Sequence, residues 1–438
     1  MSKIVAKFGG SSLASTEQIK KVADIIKQNS DRVVVVCSAP GKRSSDDTKV
    51  TDMLYECYNL AAAGNDFSGA LIRIEKRFAE IISGLGISFD LAGEMKKISD
   101  SLLAKPNKDY LASRGEYLNT RIIAAYLGFD FIEAADYIKF NDLGGFDAEN
   151  TNKLLSEALA SCTHAAIPGF YGSMPDGTVH TFSRGGSDIT GSIAARAIQA
   201  DLYENWTDVS GMLAADPRVV SNPRTIEYIT YKELRELSYS GASVLHEDAV
   251  FPVRKAGIPI NIRNTNRPED AGTMILPRLP ADIKAPVVTG IAGLTGFTSV
   301  HIEKSSMNSE VGFIARLLTL FAERGISVEH IPSGIDELTV VADSESLRSC
   351  RDLLVSDIKR ELDPETIVIE NGMALIAVVG QGMVGSRGSA ASIFEALAKA
   401  GINIRMIDQG AGELNIIVGV DSEDYKAAVR AIYDAMCK

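Results

Sequence analysis

The first half of the chain alternates short apolar runs with amphipathic stretches. Residues 4–6 (IVA) and 32–37 (RVVVVC) are apolar runs of the kind found in strands buried on both faces. Between them, residues 16–29 carry apolar side chains at helical spacing and lysines on the opposite side. Three further strand-like runs follow, at residues 129–132, 165–170 and 201–206. This βαβα order predicts an α/β fold with a mostly parallel sheet covered by helices on both faces.

The last third of the chain follows a different pattern, an internal repeat. Residues 321–328 (FAERGISV) return as residues 397–404 (LAKAGINI), 76 positions later. Each copy reads strand, helix, strand, strand, helix. A proline-rich stretch precedes the repeat and predicts a linker. The predicted organisation is a first domain at residues 1–280, a linker at 281–290, and two repeat domains at 291–368 and 369–438. The sequence leaves open whether the first repeat domain is inserted within the second.

Length, charge and cysteine usage narrow the class of protein. At about 150 residues per domain, 438 residues predict two to four domains. A formal net charge of −12 argues against nucleic acid or an anionic membrane as the main partner. The five scattered cysteines predict neither a disulfide framework nor a zinc site. We therefore expect a cytoplasmic protein, without a signal peptide or a membrane span of about 18 apolar residues.

The first strand-like run ends in a glycine turn, residues 7–12 (KFGGSS), ahead of a helical stretch. Adjacent Gly9 and Gly10 let the backbone approach an anion, and the following helix directs its free N–H groups to the same place. Lys7 adds a mobile positive charge. The pattern predicts a phosphate-binding turn, although a plain tight turn between strand and helix fits the same residues.

Two more turns of this kind follow later strands, at residues 38–42 (SAPGK) and 181–188 (TFSRGGSD). Arg184 adds a planar donor fork suited to a carboxylate or phosphate, and Asp188 adds a carboxylate able to organise a lysine or a metal-bound nucleotide. Simple capping of the next helix by Ser187 or Asp188 is the structural alternative. Residues 113–116 (SRGE) have the same ambiguity, because a serine followed by a glutamate three positions later is also a capping box.

The turns contain no Walker A pattern and no histidine. Phosphoryl transfer to an alcohol benefits from a general base. A carboxylate acceptor is already ionised at pH 7 and requires positioning and charge neutralisation. The set of lysine, arginine, glycines and carboxylates therefore favours phosphorylation of a carboxylate.

Four stretches together resemble the signatures of the aspartate kinases, within the amino-acid kinase family. They occur in that family's order and spacing, at residues 7–12, 113–116, 182–188 and 207–218. The resemblance implies an amino-acid kinase α/β/α sandwich followed by two ferredoxin-like βαββαβ ACT domains. It also implies ATP-dependent phosphorylation of the side-chain carboxylate of L-aspartate to 4-phospho-L-aspartate, the first step toward lysine, threonine and methionine.

The same resemblance implies roles for individual residues, with ATP and Mg²⁺ as cofactors and no protein metal site. Lys7 would neutralise the transferring phosphoryl group, and Asp188 would orient Lys7 or the Mg²⁺-bound phosphates. The implied ATP-binding residues are Lys7, Gly9, Gly10, Ser11, Thr207, Asp208 and Arg218. The implied aspartate-binding residues are Ser38, Thr51, Glu116 for the ammonium, and Arg184 for the α-carboxylate.

Regulation is implied at the repeat domains. Where many aspartate kinases carry a nucleotide-binding lysine, this chain has Ser243, which places that contact in doubt and is typical of the lysine-regulated branch. Lysine-inhibited relatives hold their effector at the positions of Met307, Ser327, Val328, Glu329 and Ser333. Glu329 would pair with the lysine ε-ammonium, and an exposed strand-end glutamate without such a role is the alternative. ACT domains pair side by side, so a homodimer or homotetramer is implied.

Three other interpretations remain from the residues. Residues 380–385 (GQGMVG), with Asp408 downstream, match a dinucleotide-binding fingerprint. We favour a strand-to-helix turn there, because the first repeat copy has the same architecture without the glycines. Another family member, acting on acetylglutamate or UMP, is the second interpretation. A catalytically silent amino-acid sensor is the third.

Overall fold

The computed structural model describes residues 2–104, 106–183, 185–242, 245 and 247–437. These residues form two compact units. The first unit comprises Met1–Met212, Thr225–Tyr231 and Val244–Leu279, and the second comprises Leu213–Arg224, Lys232–Ser243 and Pro280–Lys438. No helix among the described residues is long and apolar enough to cross a membrane.

The first unit is built on a mostly parallel sheet, as its apolar runs predict. Its strands are β1 (Ile4–Phe8), β2 (Arg32–Cys37), β3 (Asp130–Phe131), β4 (Ala165–Pro168), β5 (Tyr171–Ser173), β6 (Val179–Thr181), β7 (Leu202–Thr207), β8 (Tyr228–Thr230), β9 (Ile260–Asn264) and β10 (Thr273–Leu276). The described strands of the main sheet run in the order β3-β4-β2-β1-β7-β9-β10-β8, and β5 and β6 form a separate hairpin. Within that sheet, β9 and β10 are antiparallel and the other described neighbours are parallel.

Helices cover this sheet. They are α1 (Thr16–Lys27), α2 (Val50–Ala62), α3 (Ser68–Leu85), α4 (Leu91–Ala104), α5 (Lys108–Leu127), α6 (Ala134–Tyr137), α7 (Ala148–Ala160), α8 (Gly186–Ala197) and α10 (Glu247–Ala256), whereas α9 (Tyr231–Tyr239) belongs to the second unit from Lys232 onward. Side-chain caps set two of the starts, because Ser15 accepts from the N–H of Gln18 and Asn107 accepts from the N–H of Tyr110. The core beneath α1 to α5 is apolar and includes stacked Phe8 and Trp206 rings.

The start of α5 corrects one alternative from the sequence. Asn107 is the cap, and the helix runs from Lys108, so residues 113–116 lie inside it. Ser113 instead donates its hydroxyl to the carbonyl of Tyr110 one turn earlier. A capping box at residues 113–116 is therefore wrong, and their side chains are available for another role.

The second unit contains one continuous antiparallel sheet. Its elements are β11 (Gly290–Glu303), α11 (Phe313–Ala322), β12 (Val328–His330), β13 (Glu337–Asp343), α12 (Ser344–Arg348), α13 (Arg351–Leu362), β14 (Thr366–Val379), α14 (Ser389–Lys399), β15 (Met406–Asp408), β16 (Asn415–Asp421) and α15 (Tyr425–Met436). The described strands lie in the order β12-β13-β11-β14-β16-β15. This order contains the two ferredoxin-like modules that the repeat implies.

Two long strands join these modules. β11 and β14 pair along their whole length, from Gly290 opposite Val379 to Glu303 opposite Thr366. The later half of β11 also pairs with β13, and the later half of β14 pairs with β16. The early half of β11 therefore supplies an outer strand to the second module. The first module is inserted within the second, a point that the sequence left open.

Candidate active site

The structure brings together two residues predicted to be catalytic. Lys7 lies buried at 7% exposure on β1, and its Nζ is 2.5 Å from Oδ1 of Asp188. Asp188 lies in the first turn of α8, which packs on β1. Its side chain stays 21% exposed, and its Oδ2 has no hydrogen bond to any described residue. The pair therefore combines a fixed lysine with a carboxylate that retains an open oxygen.

The first two glycine turns pack backbone against backbone next to this pair. The N–H of Gly41 donates to the carbonyl of Gly10 at 2.8 Å, and the N–H of Gly9 donates to the carbonyl of Trp206 at 3.0 Å. A Cβ at Gly41 would lie 2.6 Å from the carbonyl carbon of Gly10. Only glycine permits this approach, so the turns after β1 and β2 form one surface of backbone groups.

The third turn reaches the same edge of the sheet through the start of α8. Gly185 is the N-cap residue, in the left-handed region at φ 58°. A Cβ at Gly169, after β4, would lie 2.6 Å from Oγ of Ser187, and the N–H of Gly169 donates to the carbonyl of Cys37 at 3.0 Å. Asp188 is inside the helix, so the alternative that it merely caps α8 is wrong. Arg184, predicted to clamp the α-carboxylate of aspartate, lies outside the described residues.

Glu116 on α5 supplies a second, more deeply buried carboxylate. It accepts a hydrogen bond from the N–H of Ala39 in the second turn, while its buried Oε2 has no partner among the described residues. Burial raises the pKa of Glu116 to about 8. Asn119, one turn later on α5, donates to the carbonyl of Ser38 at 2.7 Å. The predicted aspartate-binding residues Glu116 and Ser38 therefore lie close together, because α5 forms hydrogen bonds with the second turn.

The start of α2 joins this group. The N–H of Val50 donates to the carbonyl of Pro40 at 3.2 Å, which ties the helix to the second turn. Thr51 is the next residue, half-buried in the first turn of α2. An unpaired buried carboxylate oxygen is costly, because it loses water without gaining a donor. A cationic ligand group at Glu116 would supply that donor.

Arg77 on α3 is a supporting residue that sequence reasoning missed. Its buried guanidinium donates to the carbonyls of Ala14 and Gly41, both at 2.8 Å, and to Asp47 at 2.8 Å. Arg43 and Arg77 hold the pKa of the Asp47 carboxyl well below its usual range. One side chain therefore ties the second turn to the segment that follows the first turn. In the sequence, Arg77 is one of several charged residues on an amphipathic helix, and nothing in that pattern predicts that its side chain binds the turns.

The predicted nucleotide residues fall in both units. Thr207 ends β7, and its hydroxyl donates to Asp208 at 3.2 Å. Arg218 belongs to the second unit, where its exposed guanidinium pairs with Asp216 at 2.7 Å. Ser11 begins a short 3₁₀ helix directly after Gly10. Ser243, the position of the missing lysine, lies outside the described residues.

The predicted effector residues lie in the second unit. Met307 is buried in a short 3₁₀ helix, and Val328 and Glu329 lie on β12. The remaining two, Ser327 and Ser333, flank that strand and are exposed. The carboxylate of Glu329 is half-buried and accepts a hydrogen bond from the hydroxyl of Tyr239 on α9. Glu329 is therefore not the solvated strand-end glutamate of the alternative.

A group of potential metal ligands also occurs in the second unit. His301, Glu303 and Glu337 place one ligand atom each within 4.8 Å of one another. Glu303 and Glu337 are exposed cross-strand neighbours on β11 and β13. Exposed carboxylates of this kind are common without an ion, and we assign no metal to them.

Comparison with known proteins shows which family has this fold and this site. The fold and the lysine-carboxylate pair among glycine turns define a phosphotransferase of the amino-acid kinase type, and residues 2–264 match the family model "Amino acid kinase family". Residues 376–436 match the model "ACT domain". Aspartokinase 3 of Bacillus subtilis is 38% identical over 448 residues, covering 98% of this chain and 97% of that protein. The chain belongs to the amino-acid kinase family and, within it, to the aspartate kinases.

Two solved structures agree. The aspartate kinase of Clostridium acetobutylicum is 49% identical, with a TM-score of 0.90 and complete coverage of both chains. Aspartokinase III of Escherichia coli, in complex with aspartate and ADP, is 25% identical, with a TM-score of 0.76 and complete coverage of both chains. This chain is therefore an enzyme that phosphorylates aspartate and uses ATP.

Proposed function

We propose that the enzyme transfers the γ-phosphoryl group of ATP, bound with Mg²⁺, to the side-chain carboxylate of L-aspartate. The product is 4-phospho-L-aspartate, the precursor for lysine, threonine and methionine. The observation that carries this proposal is the 2.5 Å contact of Lys7 with Asp188 beside two backbone turns. The N–H groups of Gly10 and Ser11, at the start of the short helix in the first turn, and the Lys7 ammonium neutralise the phosphoryl oxygens.

The acceptor requires no general base in this proposal. The side-chain carboxyl of free aspartate has a pKa of about 4 and is ionised at pH 7. Lys7 lowers the repulsion between this anion and the phosphates, and the turns align the two in a line for transfer. The open carboxylate oxygen of Asp188 is the type of ligand that Mg²⁺ prefers, and the ion would supply further neutralisation of the phosphates.

Aspartate recognition rests on opposite charges in this proposal. The unpaired Oε2 of Glu116 accepts from the substrate ammonium, and Arg184 pairs with the α-carboxylate. Ser38 and Thr51 complete the pocket with backbone and hydroxyl groups. On the nucleotide side, Ser11, Thr207 and Asp208 join Lys7 and the glycines, and Arg218 keeps the ATP-binding role that the family resemblance implies.

Trapping of the product tests this reaction. An acyl phosphate reacts with hydroxylamine to a hydroxamate, whereas a phosphate ester or a phosphoanhydride does not. We expect hydroxamate formation with ATP, Mg²⁺ and L-aspartate, and none with acetylglutamate or UMP as acceptor. Activity confined to acetylglutamate or UMP would favour another acceptor, and binding of amino acids without turnover would favour a silent sensor.

We further propose feedback inhibition by L-lysine at Met307, Ser327, Val328, Glu329 and Ser333. The support is chemical: a half-buried carboxylate at Glu329 already binds one donor, the Tyr239 hydroxyl, and a lysine ammonium is a stronger partner. The solved relative from Clostridium acetobutylicum is described as an allosteric enzyme. Homodimers or homotetramers formed through the ACT modules, located in the cytoplasm, belong to the same proposal and fit the five free cysteines.

Inhibitor titrations test the regulatory proposal. Initial rates are measured against lysine, threonine and both together. For Glu329→Gln we expect the concentration of lysine for half inhibition to rise about tenfold or more, because the ion pair is lost. Glu323→Gln, a change at an exposed glutamate after α11, is the matched control. Inhibition by threonine alone would replace lysine as the effector, and light scattering with and without the effector reports the oligomer.

A further inference from the structure

We propose that Asn205 is a positioning residue for phosphoryl transfer, which fixes the carboxylate of Asp188 in the orientation that Lys7 requires. Asn205 belongs to none of the motif stretches that indicated the site. The inference rests on the proposed function, because it assumes that Lys7 and Asp188 act on the phosphates.

The first support is the convergence of two donors on one oxygen. Asn205 lies on β7 as the parallel neighbour of Lys7 on β1. Its Nδ2 donates to Oδ1 of Asp188 at 2.8 Å, and Nζ of Lys7 is 2.5 Å from the same oxygen. Asn205 is 3% exposed, so water does not compete for this contact. The other carboxylate oxygen, Oδ2, is consequently directed away from both donors.

The second support is a matching contact two residues earlier on β7. The hydroxyl of Tyr203 donates to the main-chain carbonyl of Asp188 at 3.1 Å. A Cβ at Gly191 would lie 2.5 Å from that hydroxyl, so α8 packs directly on this face of β7. Tyr203 therefore fixes the backbone of Asp188, and Asn205 fixes its side-chain rotamer.

The third support is the charge of the amide. The titratable groups described around position 205 are Lys7 from β1, Asp188 from α8 and Tyr203 on β7 itself, while the β9 neighbour is Ile262. Burial holds the pKa of Tyr203 well above its ordinary value, so this hydroxyl stays neutral. A neutral donor at position 205 leaves the lysine-carboxylate pair without net charge. A second carboxylate would add a negative charge where the phosphates must bind.

Two substitutions that keep the approximate size of the Asn205 side chain test its hydrogen-bond donor separately from its packing. Asn205→Leu removes the donor, and we expect kcat to fall about 10- to 100-fold while KM for ATP and aspartate stays within about twofold, since only alignment is lost. Asn205→Asp restores a donor while the new acid is protonated. Burial and the adjacent Asp188 carboxylate should raise the pKa of this new acid above its ordinary value of about 3.9. Its kcat relative to that of the wild type should therefore rise as the pH is lowered from about 8 to about 5.

The controls distinguish this inference from the proposed function. Lys7→Met tests the site itself, and thermal unfolding of every variant tests folding. Wild-type kcat in Asn205→Leu together with an inactive Lys7→Met would overturn the role of Asn205 and leave the proposed function intact. Full activity in Lys7→Met would overturn the proposed function. If Asn205→Leu does not fold, the dependence of kcat on pH in Asn205→Asp decides. A dependence parallel to that of the wild type refutes the inference, and activity restored at acidic pH supports it.

Discussion

Two ion pairs that involve strands of the same sheet differ in how completely their hydrogen-bonding groups are satisfied. In the first, Arg32 donates twice to Glu204, at 2.6 and 3.0 Å, and Trp206 donates to the same carboxylate at 2.8 Å. Both charged side chains are buried, at 6% and 3% exposure. In the second, Lys7 makes one contact with Asp188, which stays partly exposed. A saturated pair stabilises the sheet, whereas a pair with an open oxygen can still bind a ligand.

The largest expected effect comes from breaking the open pair. Lys7→Met should lower kcat by about a thousandfold or more, because the transition state loses its charge neutralisation. Thermal stability should change little, since Asp188 is partly solvated and keeps its contact with Asn205. Steady-state kinetics and calorimetry measure the two quantities on the same preparation. A variant that unfolds while its folded fraction retains full turnover would reverse the comparison.

Breaking the saturated pair should have the opposite profile. Arg32→Met leaves Glu204 buried without its main partner, which costs about 3–5 kcal/mol of unfolding free energy. The turnover of the remaining folded enzyme should be close to that of the wild type. Denaturant unfolding with activity corrected for the folded fraction checks this result. Loss of turnover without loss of stability would assign Arg32 to the site.

The buried carboxylate of Glu116 lies between these two cases. It is enclosed like that of Glu204, and one of its oxygens has no partner among the described residues, as is true of one oxygen of Asp188. Glu116→Gln should raise KM for aspartate about 10- to 100-fold through loss of a charged hydrogen bond, and KM for ATP should not change. Glu56→Gln on the exposed side of α2 is the matched control. Equal increases in both KM values would indicate a general distortion of the turns.

The last prediction concerns the pH dependence of the stability of the unliganded enzyme. The pKa of Glu116 is raised to about 8 when folded, against about 4.3 in the unfolded chain. The folded state binds the extra proton between these values, so unfolding free energy should decrease as pH rises from about 5 to 8. Glu116→Gln should flatten this slope. Aspartate binding below pH 8 should release a proton, and calorimetry in buffers of different ionisation enthalpy measures that release.

Sequence motifs predicted the residues whose chemistry the reaction requires. They missed a residue whose role depends on the alignment of two neighbouring strands. Lys7, Gly9, Gly10 and Asp188 belong to turns with recognisable composition. The contact of Asn205 with Asp188 depends on the pairing of β1 with β7, which no local pattern encodes.

Two other features show the same limit. Arg77 bonds to Gly41 in the second turn and to Ala14 after the first turn, from a helix with no motif, because its role depends on how α3 packs. The capping box at residues 113–116 was wrong because Asn107 caps the helix earlier in the chain, so residues 113–116 lie inside it. Local sequence patterns therefore predicted the helices, the strands and the residues able to act in the site. The role of each residue depends on the packing of segments that are distant in the sequence.

A crystal structure with Mg²⁺, a non-hydrolysable ATP analogue and L-aspartate tests the central claim most directly. The account predicts the γ-phosphate against the N–H groups of Gly10 and Ser11, within hydrogen-bonding distance of Lys7, with the aspartate side chain facing it and the ammonium at Glu116. A triphosphate bound away from these turns, with Lys7 and Asp188 still paired and out of its reach, would contradict the account.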